Sequence, residues 1–269
     1  MKWLSALFAV SMLAQNVKLP GELAPYQRVT ITARVTGIVE SVAVDRGSVV
    51  KQGQLLAELS APEMKAQRAE VEAKAQAIEA QRAETEARRV EAESTLERLQ
   101  TAASTPGAVA ANDIVQARKQ VDALQAVLAS IEKSAAATRA QAQVLREMES
   151  YLKIVAPFAG VITSRTAHPG MLASPSVGGL VELEQISRLR LIVGVPESDL
   201  GKVAVGSRWN FTVPAREGRV FTGVVARLAH SLDSKTRTMP VELDVSNSDG
   251  ALAPGMYAEV SFPAAKTGK

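Results

Sequence analysis

One stretch of the sequence decides the fold: SAPEMKAQRAEVEAKAQAIEAQRAETEARRVEAESTLERLQTAAS (60–104), then TPG (105–107), then AVAANDIVQARKQVDALQAVLASIEKSAAATRAQAQVLREMESYLK (108–153). It is rich in Ala, Glu, Gln and Arg, and from Glu63 onward it holds one Pro and one Gly, Pro106 and Gly107. Proline disfavours helix for the residue before it, and glycine allows a left-handed C-terminal stop. The composition therefore predicts two long helices over 61–153 that meet at a sharp turn.

Apolar residues in this stretch recur every seven residues, at the a and d spacing of a coiled coil. In the first helix the predicted rows are Met64, Val71, Ile78, Thr85, Ala92, Leu99 and Ala66, Ala73, Ala80, Ala87. In the second helix they are Ile114, Val121, Leu128, Ala135, Ala142 and Ala117, Leu124, Ile131, Thr138, Leu145, Leu152. At about 1.5 Å per residue, each helix of about 40 residues is roughly 60 Å long. We therefore expect an antiparallel coiled-coil hairpin that projects from the rest, with Asn112 or Asp113 capping its second helix.

The segments on either side of the hairpin contain an internal repeat. ARVTGIVES (33–41) places Gly37 ten residues before Gly47, and APFAGVITS (156–164) places Gly160 ten residues before Gly170. Each copy is too small to bury a core alone. We therefore predict that 33–60 and 154–184 pair into one split β-sandwich. Leu59 and Ile154 must then lie close together, as a hairpin between them allows.

The C-terminal segment, 185–265, predicts a small β-barrel. Strands are expected in the β-branched runs at 189–195, 209–213, 220–228, 241–245 and 257–262, with a short helix after Pro196. An alternating run near the N-terminus predicts that 15–32 adds one or more strands to the barrel. Polar turns are expected at 233–238 and 254–255. The predicted fold class is mixed α and β, and the molecule is elongated.

Composition excludes several kinds of function. The chain has no Cys and a net charge of +3, and no basic cluster is interleaved with aromatic residues, so neither a Cys-based site nor a nucleic-acid partner is expected. His168 and His230 are far apart in sequence and lack acidic neighbours, so no metal site is expected. No nucleophile–base set or phosphate-binding loop is present. The sequence predicts neither catalysis nor a cofactor.

The N-terminus predicts export from the cytoplasm. Residues 1–14 combine Lys2 with an apolar run that is too short to span about 30 Å of hydrocarbon. This pattern is typical of a cleaved secretory signal peptide. The alternative is a buried or disordered N-terminal strand.

The repeat carries a family resemblance. GIVESVAVDRGSVVKQGQLL (37–56) resembles the first half of a biotinyl or lipoyl domain, and IVAPFAGVI (154–162) resembles the second half. A lipoyl-like domain split by a helical hairpin is the plan of the membrane-fusion or periplasmic-adaptor proteins of the haemolysin-secretion D family. The resemblance implies a periplasmic protein, peripherally associated with the inner membrane, that links an inner-membrane transporter to an outer-membrane channel of the TolC type. It also implies a homo-oligomeric ring, expected to be a hexamer, whose hairpins form a tube.

Two barrel motifs are similar to those of adaptors for resistance-nodulation-division (RND) pumps. They are DSKTRT (233–238), with Asp233, Ser234, Thr236 and Arg237, and LAPGM (252–256), with Pro254, Gly255 and Met256. Asn247 falls where those adaptors often carry Asn. The alternatives are an adaptor for an ABC-type exporter and a coiled-coil envelope scaffold outside transport. A biotin or lipoate carrier is less favoured, because the helices occupy the place of the tight hairpin that presents a carrier lysine.

The sequence also departs from the family pattern. The barrel is followed by few residues, so either the membrane-proximal domain of larger members is absent and the transporter docks on the barrel, or the chain is truncated. Residues of the hairpin tip are expected to contact the channel; they are Arg98, Leu99, Val109, Ala110, Asn112 and Asp113. The tip motif of channel-binding adaptors has a Leu four residues after its Arg and a Ser in the turn, whereas here Ala102 and Ala110 stand at those places. The tip is thus expected to suit a different partner surface.

Overall fold

The computed structural model describes residues 17–105 and 108–262. The predicted signal peptide and the predicted roles of Pro106 and Gly107 lie outside the described residues. The helices are α1 (Pro62–Ala102) and α2 (Ala111–Ser150), with short 3-10 helices at Glu197–Lys202 and Pro214–Arg216. The strands are β1 (Val17–Ile31), β2 (Gly37–Val42), β3 (Val49–Val50), β4 (Leu55–Ser60), β5 (Lys153–Val155), β6 (Gly160–Arg165), β7 (Leu172–Ala173), β8 (Val181–Pro196), β9 (Arg208–Thr212), β10 (Val220–Leu228), β11 (Thr238–Ser246) and β12 (Tyr257–Phe262).

Six antiparallel strands form a closed barrel. Their order is β1-β12-β9-β10-β11-β8, and β1 also pairs with β8, which closes the ring. Alternate side chains point inward, as in β11, where Met239, Leu243 and Val245 are buried between exposed or half-buried neighbours. The interior is packed around Trp209 and Phe211. The predicted barrel is confirmed.

The sandwich lies beside the barrel. A sheet of order β5-β4-β2-β7 covers β3, β6 and the first part of β8, with a shared core that includes Leu56, Ile162 and Leu183. The backbone N–H of Leu59 donates to the carbonyl oxygen of Leu152 at 2.8 Å, and β4 pairs with β5 beside it. The prediction that the hairpin leaves and returns at adjacent strands is therefore confirmed.

The two copies of the repeat make the same hydrogen bonds to each other. The Gly47 N–H donates to the carbonyl of Ile162, and the Gly170 N–H donates to the carbonyl of Val39, both at 2.8 Å. Both glycines have positive φ, 87° and 84°, a conformation that side chains rarely adopt. Register shifts follow directly after Val39 in β2 and Ile162 in β6. The sandwich therefore has an internal pseudo-twofold relation.

Strands β1 and β8 run through both the sandwich and the barrel. They have 15 and 16 residues and pair with each other along most of their length, with one irregularity between Pro25 and Gln27. In its second half β8 pairs with β11 of the barrel, and in its first half it pairs with β6 of the sandwich. A continuous two-stranded ribbon therefore joins the two units.

The hairpin has the predicted shape, but one of its predicted rows is wrong. Ala66, Ala73, Ala80 and Ala87 are all exposed. The row that accompanies Met64 and Val71 lies four residues after each member; it is Arg68, Ala75, Arg82, Arg89 and Leu96, and all but Arg82 are half-buried. Small size had suggested that the alanines line the seam, but a residue two positions from Met64 lies on the opposite side of a helix. The half-buried side chains of Arg68 and Arg89 cover the seam instead, and Arg68 reaches Glu149 of α2 at 2.8 Å.

Candidate partner-binding surfaces

The predicted tip residues lie together at the free end of the hairpin. Helix α1 ends at Ala102 and α2 begins at Ala111. Arg98 is exposed, and its Nη2 donates to Thr95 Oγ1 at 3.1 Å. Leu99 and Val109 are half-buried, whereas Ala110, Asn112 and Asp113 are exposed. The tip thus presents one cation, one carboxylate and small or polar side chains.

The predicted cap of α2 is wrong. The N-cap is Ala110, and no side chain makes a capping hydrogen bond there. Ala110 is extended, and its carbonyl accepts from the N–H of Asp113 at 3.0 Å. Asn112 and Asp113 therefore lie inside the first turn, where a carboxylate interacts favourably with the helix dipole. The side chains of both residues face solvent and are available to a partner.

A cleft of about 500 Å³ lies between α1 and α2, with Arg88, Thr95, Gln120 and Leu124 among the residues lining it. Arg89, which occupies a seam position, donates to Glu86 and Glu93 of its own helix. A seam position nearer the tip is thus filled by a charged side chain, whereas near the sandwich Val71, Ala142 and Leu145 form a buried apolar cluster.

The motif at 233–238 folds into a turn. Asp233 Oδ1 accepts from the N–H of Lys235 at 2.8 Å, and the Asp233 N–H donates to the Thr238 carbonyl at 2.9 Å. Arg237 has a φ of 52°, and its carbonyl accepts from the N–H of Glu197 at 3.2 Å. The motif therefore ties this loop to the 3-10 helix after β8. The side chains of Ser234, Thr236 and Arg237 remain exposed.

The second barrel motif anchors the last strand to the first. Gly255 has a φ of 83°, and its N–H donates to the Leu23 carbonyl at 2.6 Å. The Leu23 N–H donates in return to the Met256 carbonyl at 2.9 Å. Met256 packs against the barrel core, and Pro254 precedes the glycine in the turn. The motif at 254–256 thus has a structural role.

Asn247 stabilises the loop before this motif. It is buried, and its Nδ2 donates to the carbonyls of Ile186 and Leu252, both at 2.8 Å. Its Oδ1 accepts from the N–H of Leu252 at 3.0 Å. Nearby, hydrogen bonds from Arg219 and from the loop backbone lower the pKa of Asp249. A buried amide with this many partners fixes the loop.

One end of the barrel collects several exposed features. The end farthest from the sandwich contains the start of β1, the end of β12 and the loop that carries Asp233, because Val17 pairs with Phe262 there. A cleft of about 450 Å³ at this end is lined by four apolar residues and by His230 and Ser231. Leu232 beside it is 40% exposed. This surface, which we call the barrel end, is a second candidate for partner contact.

Within 17–105 and 108–262, no group of three or more His, Asp or Glu side chains could hold a metal ion. In that part of the chain, no helix is both long and apolar enough to cross a membrane.

Family models match both β-units. The model described as the CusB barrel-sandwich hybrid domain matches residues 28–178, and the model described as the CusB-like β-barrel domain matches residues 190–266. The first match alone covers more than half of the chain. The chain therefore belongs to the CusB-like family of membrane-fusion, or adaptor, proteins.

Individual relatives agree. The chain is 28% identical over 251 residues to nodulation protein NolF of Rhizobium meliloti (strain 1021), and the match covers 91% of this chain and 62% of that protein. It is 28% identical over 254 residues to macrolide export protein MacA of Yersinia pestis, covering 93% of this chain and 68% of that protein. The crystal structure of MacA from Actinobacillus actinomycetemcomitans has a TM-score of 0.81 at 19% identity and covers 92% of this chain and 78% of that chain. This last likeness shows the fold.

The sequence-based search for sites missed one surface. On helix α2, the large apolar side chains of Val127, Val144 and Met148 are 46%, 54% and 43% exposed. They recur at steps of a coiled coil, so the signal was present in the heptad spacing. The predicted heptad rows assign one pair of rows per helix to the inner seam and leave this outer face unassigned.

Proposed function

We propose that the protein is the periplasmic adaptor subunit of a tripartite efflux system. It links an inner-membrane transporter to an outer-membrane channel of the TolC type, and it has no catalytic role of its own. Energy comes from the transporter, and the adaptor couples and seals the assembly. The observation that carries this proposal is the shape: a hairpin of 41- and 40-residue helices, roughly 60 Å long, stands on a sandwich and barrel that match the CusB-like models.

The two candidate surfaces suit opposite partners. The tip is the part of the hairpin farthest from the sandwich, and the barrel end faces the other way along the shared ribbon of β1 and β8. The tip exposes Arg98, Asn112 and Asp113, which suits the polar end of another helical bundle. The barrel end exposes Leu232 and Arg237. We assign the tip to the channel and the barrel end to the transporter.

The transporter is proposed to be of the RND type. The support is the pair of motifs at 233–238 and 252–256, which resemble those of RND adaptors. The structure gives both motifs turn geometry, so their part in partner choice rests on the exposed side chains at 234–237. An ABC-type exporter is the alternative, since the two classes share much of this pattern.

The working form is proposed to be a ring of identical copies, a hexamer by family resemblance. In such a ring the sandwiches and barrels stand side by side and the hairpins form a tube. Each hairpin buries one seam between its own helices, as Val71 and Leu145 show. Its other faces remain for neighbours.

In vivo photo-crosslinking tests the proposal. A photoreactive residue at Val109 should capture an outer-membrane channel, and one at Leu232 should capture an inner-membrane transporter, whose class distinguishes RND from ABC. Ala136, exposed in the middle of α2, is the control and should capture neither. Capture of copies of this chain alone at both Val109 and Leu232 would overturn the adaptor assignment in favour of an envelope scaffold.

A further inference from the structure

A second coiled-coil face runs along the outside of α2. We call it the α2 stripe: it comprises Gln116 and every residue reached from it by alternate steps of four and three, ending at Tyr151. All eleven of its residues are exposed and none is charged. The charged residues of α2, such as Arg139 and Arg146, lie outside it. Alternate steps of four and three are the spacing of coiled-coil contact positions. Apart from Tyr151, over whose ring the Arg34 guanidinium lies at 5.2 Å, this is a contact face on which no helix packs within residues 17–105 and 108–262.

A matching face runs along the outside of α1. The α1 stripe comprises Ala66 and every residue reached from it by alternate steps of three and four, ending at Thr101. All eleven residues are exposed, and one, Glu97, is charged. The exposed alanines first assigned to the inner seam belong to this stripe. Alanines at contact positions allow a neighbouring helix to approach closely.

The inner seam of the hairpin sets the height of each residue on one helix relative to the other. In the four interhelical ion pairs, the two residue numbers add to 217 for Arg68–Glu149, 218 for Glu72–Arg146, 218 for Glu79–Arg139 and 214 for Arg82–Glu132. Residues whose numbers add to about 217 therefore lie at the same height above the sandwich.

Every residue of the α1 stripe lies at the same height as one residue of the α2 stripe. Taken in order, each of the eleven α1 residues has an α2 residue with which its number adds to 217. Examples are Ala66 with Tyr151, Ala69 with Met148, Ala73 with Val144, Ala80 with Ala137 and Val90 with Val127. Near the sandwich the largest α2 side chains stand at the height of alanines. Nearer the tip, Val90 stands at the height of Val127, and the other matched residues are small or polar on both helices, as with Thr101 and Gln116.

We infer that the α1 stripe of one copy packs against the α2 stripe of the next copy at equal height, as an antiparallel coiled coil in this register. The inference rests on the ring proposed above and specifies its helical contact. Copies that stand side by side in the same orientation place an ascending α1 beside a descending α2, as the stripes require. A second copy is favoured over a channel helix, because the stripes extend down to Ala66 and Tyr151 beside the sandwich. Each copy offers both stripes, so the contact is heterologous and can close into a ring.

Cysteine pairs between differently tagged full-length copies test the register. The chain has no Cys, so each introduced thiol is unique. A80C in one copy and A137C in the other should form a disulfide on mild oxidation in the periplasm of cells that produce both copies and their transporter. The controls combine A80C in one copy with A136C or V144C in the other. A136C displaces the thiol around α2, and V144C displaces it along α2 by two turns. Because a disulfide needs Cα atoms within about 7 Å, we expect at least about tenfold more cross-linked product from the matched pair.

Glutamate substitutions provide a second measurement. A137E should reduce co-purification of the two tagged copies at least about tenfold, because burying an unpaired charge is costly. A136E, one residue away and equally a change from an exposed Ala, should leave co-purification unchanged. Equal effects of A136E and A137E, or a disulfide that forms as well with A136C or V144C, would overturn the inference.

The outcome is separable from that of the proposed function. Matched disulfides without a channel captured at Val109 would support the inter-copy contact and refute the tripartite role. A captured channel with no disulfide from the matched pair would support the adaptor role and refute this contact.

Discussion

The barrel and the hairpin of this protein are stabilised in different ways. The barrel has a packed interior in which Leu191, Val193 and Leu243 have no exposed surface. The hairpin is longer than any other part of the chain, yet α1 has one buried residue, Val71, and α2 has six, over the range the structure describes. Burial of apolar surface is the main favourable term in folding. The barrel therefore has a core of its own, whereas the hairpin has a narrow seam.

This difference separates stability from assembly. A long helix pair with a thin seam leaves much of its surface for partners, and two exposed stripes on that surface are nearly free of charge. Substitutions in the barrel core should therefore affect folding most, and those on the outer hairpin should affect association. Three sets of variants test this division, in decreasing order of expected effect on the free energy of unfolding.

Trp209→Ala should have the largest effect. Trp209 is buried and packs edge-to-face on Phe262 with ring centroids 5.1 Å apart. Its removal should lower the free energy of unfolding of the barrel by about 3–5 kcal/mol. Hydrogen exchange read by mass spectrometry should show lost protection in β9, β10 and β12 while α2 keeps its protection, because the helices join the sandwich and not the barrel. Arg208→Ala, an exposed neighbour, is the control. Equal loss of protection in α2 would show that barrel and hairpin unfold together.

Leu145→Ala should have an intermediate effect confined to the hairpin. Leu145 lies in the buried cluster with Val71 and Ala142, and its truncation should cost about 2–3 kcal/mol. The opening free energy of α2, measured by hydrogen exchange on the monomer, gives this value. Val144→Ala, next to it but 54% exposed, should cost little in the monomer. If both variants weakened α2 equally, the seam would not be what holds the hairpin.

The fold was predictable from sequence where a periodic signal spans many residues. The heptads gave the hairpin, and the paired spacings Gly37–Gly47 and Gly160–Gly170 gave the sandwich, because only glycine readily adopts the positive φ found at Gly47 and Gly170. The face of α1 that meets α2 was not predictable from residue size. Arg68 and Arg89 are half-buried in the seam while Ala73 and Ala80 are exposed, since long stems can cover a seam as well as small side chains can fit it.

The candidate sites were predictable as positions but less so as roles. The residues at 98–99 and 109–113 do cluster at the tip, since any hairpin brings its turn together. The cap at Asn112 or Asp113 was wrong because a helix can begin from an extended Ala whose backbone carbonyl starts the first turn. Asn247 was noted for its place in a pattern, whereas its hydrogen bond to the Ile186 carbonyl joins segments 61 residues apart in sequence. Such long-range partners leave no local signal.

The ion pairs at the base of the hairpin should have the smallest effect. Arg146 Nε lies 3.3 Å from Glu72 Oε1, with side chains 51% and 38% exposed. Exposed pairs of this kind contribute below about 1 kcal/mol, and salt screens them. A double-mutant cycle with Glu72→Gln and Arg146→Gln should give a small coupling free energy that falls further at high salt.

The same-helix pair Glu84–Arg88 is the matched control, because it supports helix formation without joining the two helices. Swapping the charges, with Glu72→Arg and Arg146→Glu together, should restore the Glu72–Arg146 coupling. A coupling above about 2 kcal/mol that ignored salt would mean that the pair is buried, and the hairpin would then have a polar core in place of a thin apolar seam. If the coupling free energy is small, these pairs contribute little to stability, and we infer that their main role is to favour one register of α1 relative to α2. The outer stripes share that register.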